Sequence, residues 1–193
     1  MSKVVVLHSA QGLRPGVEGW AARLRESGHE VWAPDLFAGR SFAKLEEGIA
    51  HRDEVGVPEL MRRLEAELAE LPADLVYAGF SMGAASAGYY AATRTGCRGA
   101  ILIGGVTPLA EFGVEAWPET VPAQVHFSAE DPHVDRAGVE RFEHALDAAR
   151  ARLEIHVYPG SEHLFADPDS PGFDPVSAEL MLARVLEFLQ RCN

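Results

Sequence analysis

Short apolar runs alternate with longer stretches of helical period along this chain, and that alternation predicts an α/β protein built on a doubly wound, mostly parallel sheet of about six strands. Several of the short runs are apolar almost throughout, as strands covered on both faces by helices must be. The 193 residues, 47% hydrophobic and 24% charged, match an ordinary globular composition, and no repeat, low-complexity tract or Ser/Gly/Pro linker divides them. A single domain over residues 1–193 without a separate cap is the expectation. A chain of this length hides about 70% of its unfolded surface, so a core with a sheltered pocket needs neither disulfide nor metal.

In chain order, a strand at 4–8 opens with Val4, Val5, Val6 and Leu7, and a helix at 16–27 leads to a strand at 29–33. Residues 36–56 show no strand pattern and read as a long loop at the carboxyl edge of the sheet, where such loops line binding sites. A helix at 53–71 carries Leu60, Leu64, Leu68 and Leu71 as a packing stripe. A strand at 75–79 runs into a small-residue helix at 82–93. Strands at 100–104, 124–128 and 154–158 follow, with helices at 135–149 and 175–190.

Seventeen Lys and Arg against 29 Asp and Glu leave a net charge of −12, so no overall positive field gathers phosphates. Nucleic acid and membrane are excluded as partners on that ground. No apolar run approaches the ~18 residues of a membrane span, and the N-terminal run is too short for a signal-peptide core. Cys97 and Cys192 make no disulfide framework and read as free thiols of a reducing compartment. A cytoplasmic protein is expected.

Chemistry concentrates after the third strand, where Gly79-Phe80-Ser81-Met82-Gly83 stands in the strand, G-x-S-x-G and helix context of a nucleophile elbow. Flanking glycines spare the sharp turn a collision with neighbouring backbone, and the helix N-terminus favours a developing oxyanion. A serine needs a base, and the base needs a carboxylate to orient it. Asp131, with Glu130 and Asp135 as alternatives, follows the next-to-last strand, and His163 follows the last in Pro159-Gly160-Ser161-Glu162-His163. Both stand at strand carboxyl ends, in the order Ser, acid, His.

The remaining histidines sort by position. His126 and His156 lie inside strands as core or sheet-face residues, and His29 and His144 read as surface positions. His133 stands between Asp131 and Asp135 in a D-x-H-x-D pattern, which lacks a second cluster, so no metal is expected. His8 opens His8-Ser9-Ala10-Gln11-Gly12 and braces that loop. One oxyanion-hole amide should be that of Met82, and the second that of Ala10, with Gln11 the alternative. Each aimed amide is worth about 3 kcal/mol in the transition state.

Together these segments, with Gly28-His29-Glu30-Val31-Trp32-Ala33-Pro34-Asp35-Leu36 and Tyr158-Pro159-Gly160-Ser161-Glu162-His163-Leu164-Phe165, resemble the dienelactone hydrolase family of α/β-hydrolases over nearly the whole chain. The resemblance implies a capless, cofactor-free hydrolase with Ser81, Asp131 and His163 as its triad. Two positions depart from the pattern. The named dienelactone hydrolases carry cysteine where this chain has Ser81, which favours ordinary ester chemistry. They also carry a carboxylate-binding arginine four residues after the catalytic histidine, where this chain has Asp167; a carboxylate there should repel an anionic lactone. Arg14, Arg40 and Arg52 are candidate cations from other loops. Phe37, Phe42, Trp117 and Phe165 are candidates for an apolar acyl wall, with plain packing the alternative, and Gln11 and Arg40 for polar substrate contacts.

The reading is a serine hydrolase of small carboxylic esters or lactones, acting on a small-molecule substrate as a monomer or homodimer. A thioesterase or perhydrolase-like acyl transferase shares the same triad, and a non-catalytic ligand-binding protein shares the same fold.

Overall fold

Val4 and Val6 of the first strand pack on one face of the sheet and Val5 and Leu7 on the other, so each face needs its own cover. The computed structural model describes residues 1–192. Its elements are β1 (Lys3–Leu7), α1 (Pro15–Glu26), β2 (Glu30–Trp32), α2 (Leu45–Val55), α3 (Val57–Leu68), β3 (Leu75–Phe80), α4 (Met82–Thr93), β4 (Gly99–Ile103), a short 3-10 turn (Leu109–Phe112), β5 (Ala123–Ser128), α5 (Arg136–Ala148), β6 (Leu153–Tyr158) and α6 (Pro175–Arg191). All six strands pair in parallel in the order β2-β1-β3-β4-β5-β6. This is the doubly wound sheet that the alternation predicts.

The leucine stripe of α3 joins Ala84, Ala87 and Tyr90 of α4 and Phe142 and Leu146 of α5 against Val5, Leu7, Tyr77 and Leu102. On the other face, Trp20 and Leu24 of α1 and Met181, Val185 and Phe188 of α6 cover Val4, Val6, Val76, Ala78 and Ile101. Strand order reverses between β1 and β3, and the crevice outside the carboxyl ends at such a reversal is where ligands bind in this architecture. Among the described residues no helix is long and apolar enough to cross a membrane.

Two expectations need correction. The stretch 36–56 is not all loop, because residues 45–55 form α2, and the expected helix at 53–71 is the end of α2 followed by α3. The break lies at Gly56, whose φ is 82°, with Pro58 opening α3. Helix α2 hid from the hydrophobic period because it buries only Gly48 and His51.

Under α6 lies a buried polar network. Gln124 Nε2 donates to Glu154 Oε2 at 2.9 Å and to the Arg184 carbonyl at 3.3 Å, which leaves Gln124 Oε1 to accept from His126 Nε2 at 2.9 Å. His126 Nδ1 then accepts from the Tyr158 hydroxyl, also at 2.9 Å. Burial, reinforced by the fields of His156 and Arg184, pushes the His126 pKa well below its ordinary 6.5. Unfolding therefore takes up a proton below that value, so the stability contributed by the neutral ring is complete above pH 6.5 and is lost as the pH falls. His8, lowered chiefly by burial, acts in the same direction. The thermal midpoint should be level above neutrality and decline as the pH drops through 6 toward 5, with His126→Leu less stable at pH 7 but shallower in slope; an unchanged slope would remove His126 as a source.

Candidate active site

Ser81 occupies the turn between β3 and α4 with φ 53° and ψ −110°, a backbone conformation that side chains rarely adopt. The turn is pinned by Ser81 N donating to the Ile103 carbonyl at 2.7 Å and Ala84 N donating to the Ser81 carbonyl at 2.8 Å. Its neighbours are glycines for a steric reason. A Cβ on Gly79 would lie 2.1 Å from the Gly83 carbonyl oxygen, and one on Gly83 would lie 2.2 Å from that of Leu7. Strand β1, strand β3 and helix α4 meet backbone to backbone here.

The three side chains named from the sequence come together at this edge. His163 Nε2 is 2.8 Å from Ser81 Oγ, and His163 Nδ1 is 2.7 Å from Asp131 Oδ2. Asp131 Oδ1 accepts from the His133 amide at 2.8 Å. Burial works against the Asp131 charge, but the bonds from His163 and the His133 amide outweigh it and hold the carboxyl below its ordinary range. An ionised Asp131 only accepts, so Nδ1 of His163 carries the proton and Nε2 is free to accept from Ser81. Neither alternative acid is bonded to His163: Glu130 is exposed, and Asp135, which borders the same cleft, pairs with Arg141 at 2.9 Å.

Both loops of this pair are tied to each other. Ser128 Oγ donates to the Glu162 carbonyl at 2.7 Å, and Glu130 N donates to the Gly160 carbonyl at 2.9 Å.

Ala10 and Met82 line a cleft of about 210 Å³ with Ser81 and His163. The Ala10 loop is braced by His8, whose Nδ1 donates to the Ser9 carbonyl at 2.7 Å while Nε2 accepts from Leu36 N at 3.0 Å. Helix α2 crosses this loop so closely that a Cβ on Gly48 would lie 2.0 Å from the Ala10 carbonyl oxygen. Gln11 is not free for substrate: its amide donates to Ser9 Oγ at 3.1 Å, and its side chain to the Phe42 and Ala43 carbonyls at 3.2 and 2.9 Å. Among the described residues neither the Ala10 nor the Met82 amide has an acceptor.

The expected acyl wall is not at the cleft. Phe37 packs against His8, Phe42 and His51; Trp117 packs against Phe142 and donates to the Val121 carbonyl; Phe165 lies on Tyr158. All three are core residues, as large aromatics usually are. Arg40 lies over Phe42 and contacts His51, outside the cleft. Arg52 does reach the cleft, together with Ile49 of the same helix. His133 also lines it, its ring 4.9 Å from that of His163. The D-x-H-x-D spacing signalled His133 only as a metal candidate, and among the described residues no metal-holding group of acids, histidines and thiols occurs.

Asp167 faces inward. Its carboxylate is buried 3.5 Å from the buried Arg14 guanidinium, while Asp169 accepts from Gly16 N at 2.6 Å. The two acids thus dock the loop after His163 onto the N-terminus of α1, where negative charge is stabilised. Burial raises the Asp167 pKa despite Arg14.

A strained serine elbow, a paired imidazole and carboxylate, and a doubly wound parallel sheet define an α/β-hydrolase. The family model described as the dienelactone hydrolase family matches residues 1–193, and the chain belongs to that family. A Salmonella typhi protein provisionally named carboxymethylenebutenolidase is 37% identical over 62 residues, a stretch spanning 32% of this chain and 23% of the relative. A crystal structure provisionally described as a dienelactone hydrolase from Klebsiella pneumoniae subsp. pneumoniae superposes with a TM-score of 0.74 at 21% identity, covering 99% of this chain and 87% of the other. The propionate-bound esterase 2 of the planctomycete Thermogutta terrifontis gives 0.66 at 18% identity, over 98% of this chain and 82% of that one. At these identities the two structures speak for the fold.

Without Asp167 the buried Arg14 keeps only the partly exposed Asp169, 3.8 Å away, so Asp167→Ala should destabilise the protein by about 3 kcal/mol, read as a thermal midpoint lowered by roughly 10 °C. Its preference between neutral and anionic esters should not move, and a variant as stable as the wild type would show that the pair does not hold the loop.

Proposed function

We propose that this chain is a serine hydrolase of small carboxylic esters or lactones. The observation that carries the reading is the continuous pair of bonds, 2.8 and 2.7 Å long, from Ser81 through His163 to Asp131 beside an open cleft. In the acylation step His163 Nε2 takes the Ser81 proton as Oγ attacks the carbonyl carbon. The oxyanion that forms sits between the Ala10 and Met82 amides, each worth about 3 kcal/mol, at the positive end of α4. The tetrahedral species collapses as His163 hands its proton to the leaving oxygen. Water, deprotonated by the same nitrogen, then attacks the acyl-Ser81 ester and regenerates the enzyme.

Family membership and the esterase among its structural relatives support this reading. The two buried free thiols, pushed up to about 12 for Cys97 and about 11 for Cys192 mainly by burial, suit a reducing, cytoplasmic setting.

A triad works as one unit, so Ser81→Ala and His163→Ala should each cut kcat roughly ten-thousandfold or more, with the double variant little worse and the fold intact. A fluorophosphonate probe should attach to Ser81 and to no other residue, as read by peptide mass spectrometry. Ester turnover surviving in Ser81→Ala would assign the nucleophile elsewhere.

A further inference from the structure

Beside the cleft at Ser81 lies a second and larger hollow of about 500 Å³. The hollow lies between Leu60 and Met61 of α3 and Met82, Ala85 and Tyr89 of α4, with Phe112 of the 3-10 turn at its side. It shares Arg52, Met82 and Ala85 with the cleft, and shares none of His133, Val134 and His163. Met61, Tyr89 and Phe112 are left half-buried along it, and Val57 at its lip is 61% exposed. Large apolar side chains left uncovered next to a nucleophile mark a place where substrate, rather than protein, completes the packing.

Proton transfer decides which half of an ester enters. The leaving oxygen must receive its proton from His163 Nε2, so the alcohol portion departs on the side of His163 and His133. The acyl chain, on the other side of the carbonyl carbon, points away from His163 and toward the first turn of α4. That is the direction of the second hollow.

Charge decides which acyl chain fits. Arg52 at the junction is engaged by its neighbour Asp53, whose Oδ1 accepts from Arg52 Nε at 2.8 Å and from Nη2 at 2.7 Å. The only other ionic group lining the hollow is Glu65, which accepts from the Tyr90 hydroxyl at 3.0 Å. A carboxylate on the acyl chain would find no unpaired cation and an added negative charge.

We infer that the hollow between α3 and α4 is the acyl compartment of this hydrolase and selects neutral alkyl acyl chains over acetate. The inference rests on the triad reading above. If each methylene displaces about the 30 Å³ that a water molecule occupies, a hollow of about 500 Å³ has room for a chain of up to roughly sixteen carbons, so every acyl group up to decanoate fits.

The test is kcat/KM for p-nitrophenyl esters from acetate to decanoate, set beside acetate esters of alcohols from ethanol to octanol. Burial of each methylene should raise kcat/KM about threefold along the acyl series until the hollow is full. The alcohol series should stay level, and a p-nitrophenyl ester ending in a free carboxylate should fall at least tenfold below its neutral counterpart of equal length. Met61→Trp, which fills the hollow from α3, should lower the octanoate-to-acetate ratio at least tenfold. Ala85→Leu, which narrows the junction, should act in the same direction and serves if the tryptophan variant misfolds. A level acyl series, a rise confined to the alcohol series, or a ratio untouched by both variants overturns the assignment. Absence of turnover on every ester, with no fluorophosphonate adduct on Ser81, overturns the triad reading and this one with it. An adduct on Ser81 with a level acyl series overturns the acyl compartment alone.

Discussion

The close backbone contact of β1, β3 and α4 is the constraint from which the rest of this site follows. With no Cβ at Gly79 or Gly83, α4 begins directly over the two central strands, and Ser81 is forced into a turn with φ 53°. That turn leaves the Met82 amide at the start of a helix, so the proposed nucleophile and the proposed oxyanion donor are set by one steric arrangement. Strain of this kind costs of order 1–3 kcal/mol and persists only where surrounding structure over-determines it. Here the Ile103 carbonyl holds the Ser81 amide, and the fully buried strands β3 and β4 hold Ile103.

Around the elbow, three separate loops must agree in position, and each is tied down by bonds of its own. The Ala10 loop is clamped between His8, the Gln11 amide and Gly48 of α2. The Asp131 and His163 loops are stitched together through Ser128 and Glu130. The chain after His163 is docked on α1 through Arg14, Asp167 and Asp169. A buried ion pair adds little net stability, but it resists displacement because separating its members leaves an uncompensated charge. For a loop that carries the imidazole between Ser81 and Asp131, resistance to displacement is what matters.

The strands, their parallel doubly wound class and the three side chains that meet at the elbow were legible in the sequence because each leaves a local mark. Two-sided burial makes β1, β3 and β4 apolar throughout, and the residues Ser81, Asp131 and His163 all follow strands. What was not legible depends on direction in space. Helix α2 packs through Gly48 and His51 instead of an apolar stripe, so its period is invisible, and Gly56 with Pro58 marked the break that separates it from α3. Phe37, Trp117 and Phe165 are the residue types that line acyl sites, but the same types fill cores, and nothing in their spacing says which way the rings turn. The half-buried Met61, Tyr89 and Phe112 come from three elements far apart in the chain and become a group only once α3, α4 and the 3-10 turn are packed.

Asp167 illustrates how one reversal of direction changes the chemistry inferred for a site. Aligned by sequence, it stands where an arginine would meet a substrate carboxylate, and its charge reads as repulsion in the cleft. Turned inward onto Arg14, it lines no part of the cleft. Among the described residues that line the cleft, Arg52 and Asp135 are engaged by Asp53 and Arg141, beside the imidazoles of His133 and His163. With both of these charges paired, the acyl compartment proposed above would draw its selectivity from apolar burial. Apolar burial in turn is graded: each methylene adds a similar increment until the space is filled, so the compartment proposed between α3 and α4 would discriminate by length and shape instead of by a single all-or-none contact.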